Sequence, residues 1–359
     1  MVKKKKNWII LIVLAIGIKI FSLFPSAVEK YFADGLYPAI SQTQRILFGW
    51  IPFSIGDIFY TAVILWLLYR VYDLIKRLIK KQTNKQYWLG TLRRLVYLAL
   101  WVYVFFNLLW GLNYNRQGVA YQLGLKVEKY SKEDLVTVME KIVDRLNELD
   151  SSARLNRLAL QKKSNVFRGA IISYDNLFRR HPEFAYSHPS VKSSLFSRMG
   201  NYLGYTGYYN PFSGEAQVNT AVPLFIQPFT TCHEIGHQLG YAKENEANFA
   251  GYLSAKSSEN PAFRYSVYFD LYSYARFYLY IQDTAAANRL NERLHAGIKK
   301  DYKELREFVL KYSNPAEKAI DKLYAQYLKA NEQPGGRLSY NEVVAWLVAY
   351  YKKYGIEAI

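Results

Sequence analysis

The chain has 359 residues, enough for one large domain or two, and a formal net charge of +18. Its single cysteine, Cys232, excludes a disulfide within the chain. There is no zinc-ribbon, Walker or dinucleotide-binding glycine motif. Much of the basic charge flanks apolar runs, which indicates membrane topology and argues against a nucleic-acid-binding protein.

Three apolar runs, at about residues 8–24, 58–75 and 95–112, predict transmembrane helices. A signal peptide is the alternative for the first run, but Pro25 follows it and no cleavage site stands out before Glu29, which favours an uncleaved anchor. A buried hairpin is the alternative for the other two, but their Tyr and Trp residues favour a membrane. We expect a loop over residues 25–56.

The placement of Lys and Arg predicts the orientation of these helices. Residues 3–6 and the predicted loop at 76–94 are basic, so the positive-inside rule puts both in the cytoplasm. The sequence therefore predicts a multi-pass protein of the cell membrane, with an anchor at 1–112 and an extracytoplasmic domain at 113–359.

The second domain is predicted to be mainly helical, with a small β element before its central motif. Ser131–Asp134 resembles a capping box, and an aromatic stripe at Tyr265, Tyr268 and Tyr272 is typical of core packing. The other predicted elements are an amphipathic helix at 165–178, a loop at 198–213, a strand at 215–222, helices at 263–281 and 315–330, and a final helix capped by Ser339 and Glu342 that runs through Tyr351. The strand could be an ordinary sheet edge or an edge that binds substrate backbone.

The central motif is His-Glu-x-x-His, at residues 233–237. On a helix, His233 and His237 share one face and can bind one Zn²⁺, which leaves a position open for water. Glu234 is then placed to accept a proton from that water. Two histidines on a helix surface are the structural alternative. Cys232 does not share their face, so we interpret it as a small buried residue.

The third metal ligand is predicted in the next helix. Lys243 stands where a metzincin would have a third His, which excludes that pattern. Glu246, Ala250 and Leu253 would share one helix face, so Glu246 is the expected ligand and Glu244 the alternative. Both carboxylates could instead complement the dipole of a helix N-terminus.

His-Glu-x-x-His followed by Glu-Ala-Asn-x-x-Ala resembles the gluzincin peptidases, in which the Glu before Ala-Asn completes the zinc site; a related arrangement occurs in bacterial repressor-cleaving metallopeptidases. Nearly the whole chain is also similar to a bacterial membrane family, domain of unknown function 3810. The shared pieces are Trp-Ile-Pro-Phe-Ser-Ile-Gly-Asp at 50–57, Gly-Tyr-Tyr-Asn-Pro-Phe-Ser-Gly-Glu-Ala at 207–216, and the metal motif. The resemblance implies a zinc peptidase tethered to a membrane and no particular substrate.

The sequence thus predicts a membrane-anchored zinc peptidase that acts on a peptide or protein, with the lipid bilayer as its other partner. The alternative is a non-catalytic receptor or scaffold with a structural zinc, which would have no use for Glu234. An oxyanion donor is also expected, and its candidates are Tyr205, Tyr208, Tyr209, Tyr241, Arg276 and His295.

Overall fold

The computed structural model describes residues 2–331 and 340–359, and it is mainly helical. The α-helices are α1 (Val2–Ser22), α2 (Pro25–Ala27), α3 (Tyr37–Phe48), α4 (Ile55–Ile79), α5 (Lys85–Leu109), α6 (Gly118–Gln122), α7 (Lys132–Leu160), α8 (Lys163–Phe178), α9 (Ser197–Leu203), α10 (Gln227–Gln238), α11 (Glu244–Lys256), α12 (Pro261–Gln282), α13 (Thr284–Arg293), α14 (Ala296–Tyr312), α15 (Pro315–Ala330) and α16 (Tyr340–Tyr354). A π-helix lies at Val28–Leu36, and 3₁₀-helices lie at Gly111–Asn115, Pro182–Phe184 and Ile356–Ala358.

Two helices, α4 and α5, are long and apolar enough to cross a membrane. A third crossing, at α1, meets the same criterion only together with the segment Pro25–Phe48, from which it is bent by 101°. The basic stretch predicted as a loop at 76–94 is mostly helical, since α4 continues to Ile79 and α5 starts at Lys85. The turn between them is therefore short.

The loop expected at 25–56 is wrong for most of its length, because this segment is helical from Pro25 to Phe48. Its buried positions recur at helical spacing, as at Val28 and Phe32 and again at Tyr37 and Ser41. Tyr37 and Ser41 both donate hydrogen bonds to the carbonyl oxygen of Gln238, at 2.9 Å. The segment thus packs on the end of the helix that carries the central motif.

The core of the remaining chain is built mainly around α7 and α12. The predicted capping box is confirmed: the Ser131 hydroxyl accepts from the Asp134 N–H, and the Asp134 carboxylate accepts from the Ser131 N–H. Tyr265, Tyr268 and Tyr272 are buried on α12, which confirms their core role. Ser339 and the start of the last helix's predicted cap lie outside the described residues.

The β element is a three-stranded sheet in the order β1-β3-β2, formed by β1 (Val191–Ser193), β2 (Gly207–Asn210) and β3 (Glu215–Val218). β3 pairs in parallel with β1 and antiparallel with β2. The strand predicted at 215–222 is therefore a shorter, central strand, and neither edge role proposed for it holds. The predicted loop at 198–213 in fact contains α9 and the edge strand β2.

Candidate metal centre

The central motif lies on α10, whose neighbour α11 approaches it closely because small residues line the contact. A Cβ added at Gly251 would come within 3.0 Å of the backbone nitrogen of His233, and one at Gly236 within 3.2 Å of the carbonyl oxygen of Ala247. Gly240, with φ +92°, reverses the chain between the two helices. The hairpin therefore brings the start of α11 beside the two histidines.

Two imidazoles and a carboxylate converge at this hairpin. The rings of His233 and His237 have centroids 4.7 Å apart. The Glu244 carboxylate lies 3.4 Å from Nε2 of His233 and 3.6 Å from Nε2 of His237. Ligand atoms of His233, Glu234 and His237 also lie within 4.8 Å of one another. Two imidazole nitrogens and a carboxylate oxygen form a donor set that fits Zn²⁺.

Glu244, the alternative ligand, is the carboxylate beside both imidazoles, whereas the carboxylate of Glu246 lies against α6. On α11, Glu244 shares a face with Ala247 and Gly251, and these small residues are the ones that contact α10. The Oε1 atom of Glu246 lies against Gly118 instead, and burial raises the pKa of this carboxyl. The sequence pattern favoured Glu246 because it expected the face of α11 that carries Glu246 and Ala250 to lie towards the histidines, whereas the face that carries Glu244 lies there.

Glu234 is buried beside the two histidines and close to the edge strand. A Cβ at Gly207 of β2 would come within 2.5 Å of Oε1 of Glu234, so a larger residue there would displace this carboxylate. The Oε2 atom has no hydrogen-bond partner among the described residues. Burial raises the pKa of Glu234 to about 7, against the opposing effect of the two histidines. The site thus holds a carboxyl group that titrates near neutrality.

Two hydrogen bonds orient His237, one at Nδ1 of its ring and one at its backbone carbonyl oxygen. Nδ1 lies 2.8 Å from the carbonyl oxygen of Tyr241, a contact that assigns the proton to Nδ1 and leaves Nε2 to bind a metal. The indole of Trp110 lies at right angles to the ring, with centroids 6.0 Å apart, and its Nε1 donates to the carbonyl oxygen of His237 at 3.2 Å. Trp110 immediately follows α5.

The electrostatics of the site favour positive charge between its ligands. Burial alone would lower the pKa of His237, but the hydrogen bond and the charge of Glu244 outweigh it and raise this pKa to about 9. The two histidines likewise hold the pKa of Glu244 well below its usual range, although burial opposes them. A proton is thus stabilised where a cation would be bound.

The sequence did not indicate Tyr324, which α15 brings to the site. Its hydroxyl donates to Oε1 of Glu244 at 2.5 Å, and its ring stacks with that of Tyr327. The separation of 80 residues between Tyr324 and Glu244 leaves no local pattern that could reveal the contact.

Five of the six candidates for an oxyanion donor have contacts elsewhere in the structure. The hydroxyl of Tyr208 donates to Asp57, that of Tyr241 donates to Gln122, and that of Tyr209 lies 3.3 Å from the hydroxyl of Tyr37. The remaining candidates are placed as follows: the ring of Tyr205 lies 5.7 Å from that of Tyr208, His295 lies 3.9 Å from Asp150, and Arg276 is on α12. None of these contacts selects one candidate.

A buried ion pair joins the segment before α3 to the turn that follows α10. Arg116 donates through Nη2 to Glu29 at 2.7 Å and through Nη1 to the carbonyl oxygen of Gly240 at 3.4 Å. The backbone N–H groups of Gln117 and Gly118 also donate to Glu29. Burial would raise the pKa of Glu29, but Arg116 and these N–H groups lower it below its ordinary value.

The two other shared pieces of sequence meet where α4 begins. The carboxylate of Glu215, on β3, accepts hydrogen bonds from the N–H of Ile55 at 3.1 Å and of Gly56 at 2.7 Å. Asp57 in the first turn accepts from the N–H of Leu195 at 2.7 Å and from the hydroxyl of Tyr208. The sheet therefore binds the first turn of a helix long enough to span a membrane.

Comparisons with known proteins give one match. The model of a family described as "Protein of unknown function (DUF3810)" matches residues 32–348. No curated protein and no solved structure gives a match. The match covers the metal motif and both shared pieces at the start of α4 and in the sheet.

Proposed function

The chain belongs to the DUF3810 family, and we propose that it is a membrane-anchored zinc peptidase. The observation that carries this proposal is the convergence of His233, His237 and Glu244 beside a separate buried carboxylate, Glu234. Bound zinc would supply a Lewis acid and lower the pKa of a water molecule towards neutrality. In this proposal Glu244 takes the place of Glu246 as the third ligand.

Glu234 is proposed as the general base. Its carboxylate is next to the imidazoles, and its Oε2 atom lacks a hydrogen bond within the described ranges, so it can accept a proton. Hydrolysis adds one water across the amide: its oxygen bonds to the carbonyl carbon, the C–N bond breaks, and the nitrogen leaves as an amine. Glu234 would take a proton from the water and return it to that amine.

The edge strand β2 supports a polypeptide as the substrate. The N–H of Asn219 donates to the carbonyl oxygen of Thr206 at 2.8 Å, so the backbone groups of Thr206 face β3. In an antiparallel pair, successive residues of a strand direct their backbone N–H and C=O groups alternately towards and away from the partner strand. The backbone groups of Gly207 therefore point away from β3, towards the side where a further strand could pair with β2. Gly207 also contacts Glu234, so an added strand would pass close to the base.

We further propose that α1, α4 and α5 cross the membrane, with the N-terminus and the turn after α4 in the cytoplasm and the metal centre outside. The candidate helices α4 and α5 and the basic residues near their joined ends support this arrangement. A reporter enzyme fused after Ile359 should behave as exported. A cytoplasmic signal would refute this orientation.

The experiment that tests the activity compares full-length wild type with Glu234→Gln. Both should bind about one zinc per chain. Wild type should cleave members of a peptide library, and the variant should lose roughly two to four orders of magnitude in turnover, the scale of a lost general base. Glu140→Gln, an exchange of an exposed glutamate on α7, serves as the control and should be unaffected.

Two outcomes would contradict this proposal, the first its mechanism and the second its activity. Equal cleavage by wild type and Glu234→Gln would exclude Glu234 as the base. Zinc-loaded wild type that cleaves no soluble or membrane-tethered peptide would favour the receptor or scaffold.

A further inference from the structure

The candidate metal centre lies directly at the end of α5. Leu109 is the last residue of this helix, and the side chain of the next residue, Trp110, contacts His237. A single side chain thus separates one of the two imidazoles from the end of a candidate span.

The start of α4 reaches the other side of the same centre. Asp57, in its first turn, accepts a hydrogen bond from Tyr208, and the neighbouring residue on β2, Gly207, contacts Glu234. The end of α5 and the start of α4 both contact β2, since the ring of Trp110 lies 5.2 Å from that of Tyr209 and Asp57 accepts a hydrogen bond from Tyr208. Both approaches to the centre therefore come from one membrane face.

The lengths of α4 and α5 limit how far Trp110 and Asp57 can lie from the hydrocarbon core of the bilayer. Arg94 precedes Trp110 by 16 residues, and Asp57 precedes Lys76 by 19 residues; Arg70, about 9 Å before Lys76 along the helix, can extend its side chain to the same interface. At a rise of 1.5 Å per residue these intervals are about 24 and 28 Å, less than the roughly 30 Å of a hydrocarbon core. Basic residues belong at the opposite interface, because charge inside hydrocarbon is costly. With α4 and α5 spanning the membrane as proposed above, Trp110 and Asp57 would lie at the level of the lipid headgroups.

Exposed apolar side chains surround this end of the spans. Before α4 they are Ile46, Leu47, Trp50 and Phe53, with Trp50 78% exposed. Around α9 they are Leu195, Met199 and Tyr202, and the N–H of Leu195 is bonded to Asp57. So many large apolar groups exposed together are unfavourable in water and favourable at a bilayer surface, where Trp and Tyr are enriched.

We infer that the substrate is the membrane-proximal segment of a polypeptide anchored in the same bilayer. This inference rests on the peptidase activity proposed above and specifies its substrate class. An extended chain advances about 3.3 Å per residue and a headgroup layer is about 5–8 Å thick, so a centre at headgroup level reaches bonds within about two to three residues of the hydrocarbon. A tethered substrate also arrives by lateral diffusion at high effective concentration, whereas a soluble peptide has to enter the headgroup layer.

The first test measures the depth of the centre in full-length protein reconstituted in nanodiscs. Cys232 is fully buried, so an environment-sensitive fluorophore can be attached to Met199→Cys alone. Asn288→Cys on α13, a helix that packs on α7 and α12, is the matched control. Nitroxide-labelled headgroups should quench the fluorophore at 199 at least about twofold more than the one at 288. Equal quenching at the two positions would overturn the inference.

The second test uses three probes that share the same short random segments. In the first the segment directly follows a leucine-rich membrane helix, and in the second a spacer of about 20 Gly and Ser residues, roughly 25 Å end to end, separates the two. The third probe is the soluble segment. Wild type in nanodiscs should cleave the first at least about tenfold faster than the other two. Equal rates would overturn the inferred substrate class while leaving the peptidase intact. Cleavage of none of the probes would overturn the peptidase itself, and the depth measurement would still decide where the centre lies.

Discussion

The choice between two glutamates two residues apart offers a sharp test of the metal centre. Replacing Glu244 by Gln removes a charge that lies 3.4 and 3.6 Å from the imidazole Nε2 atoms. A unit charge at about 3.5 Å interacts with another by about 5 kcal/mol at an effective dielectric constant near 20. Since about 1.4 kcal/mol is tenfold, we expect zinc affinity to fall at least about 10³-fold. Glu246→Gln should change it by no more than about tenfold, the lower end for a group outside the ligand set.

The assay is competition for zinc against a chromophoric chelator, with thermal melts to verify that each full-length variant is folded. The reasoning would be refuted if Glu246→Gln lost zinc while Glu244→Gln kept it. It would also be refuted if Glu244→Gln changed only stability, by about 0.3–1 kcal/mol, because that result is typical of a carboxylate that merely complements a helix dipole.

Three further exchanges test the surroundings of the centre. Gly207→Ala should displace the general base and reduce turnover by about 10²-fold with zinc retained, and unchanged turnover would contradict the contact. Tyr324→Phe removes a hydrogen bond to Glu244, so chelator titration should show zinc affinity reduced about 10- to 100-fold. An unchanged zinc affinity would contradict this role of Tyr324. Glu29→Gln leaves the buried Arg116 with the half-exposed Asp34, at 3.2 Å, as its remaining anion, so denaturant unfolding should show a loss at or below the low end of about 3–5 kcal/mol; a loss under about 1 kcal/mol would contradict this reasoning. Because the folded-state pKa of Glu29 is lowered from 4.5, its contribution should be complete above that pH and disappear as the pH falls through the folded value.

Local patterns predicted the parts of the fold that local interactions determine. The capping box at Ser131, the helix that carries His233 and His237, and the buried tyrosines of α12 all follow from spacing within a few turns. The family membership was also predicted, from three short pieces of sequence, and the matched range confirms it. Zinc binding and hydrolysis stay predictions.

Contacts between residues that are far apart in the chain could not be predicted from local sequence patterns. The central position of β3 depends on β1 and β2, which precede it in the chain and pair with it only in the folded protein. The helical segment at 25–48 has mixed polar and apolar positions because it packs on another part of the chain, and that composition resembles a loop. The inward face of α11 was ambiguous because small residues occur on two faces, and only the contacts of Ala247 and Gly251 with α10 identify it.

The carboxylate of Glu215 joins the start of α4 to the sheet. It accepts hydrogen bonds from the first N–H groups of α4 while it belongs to the central strand of the sheet, so helix and sheet share one joint. Helices adjust their tilt when bilayer thickness changes. A change in the tilt of α4 would be transmitted through these hydrogen bonds to β3 and from there to β2. If α4 spans the membrane as proposed, the thickness of the bilayer would therefore affect the distance between β2 and Glu234.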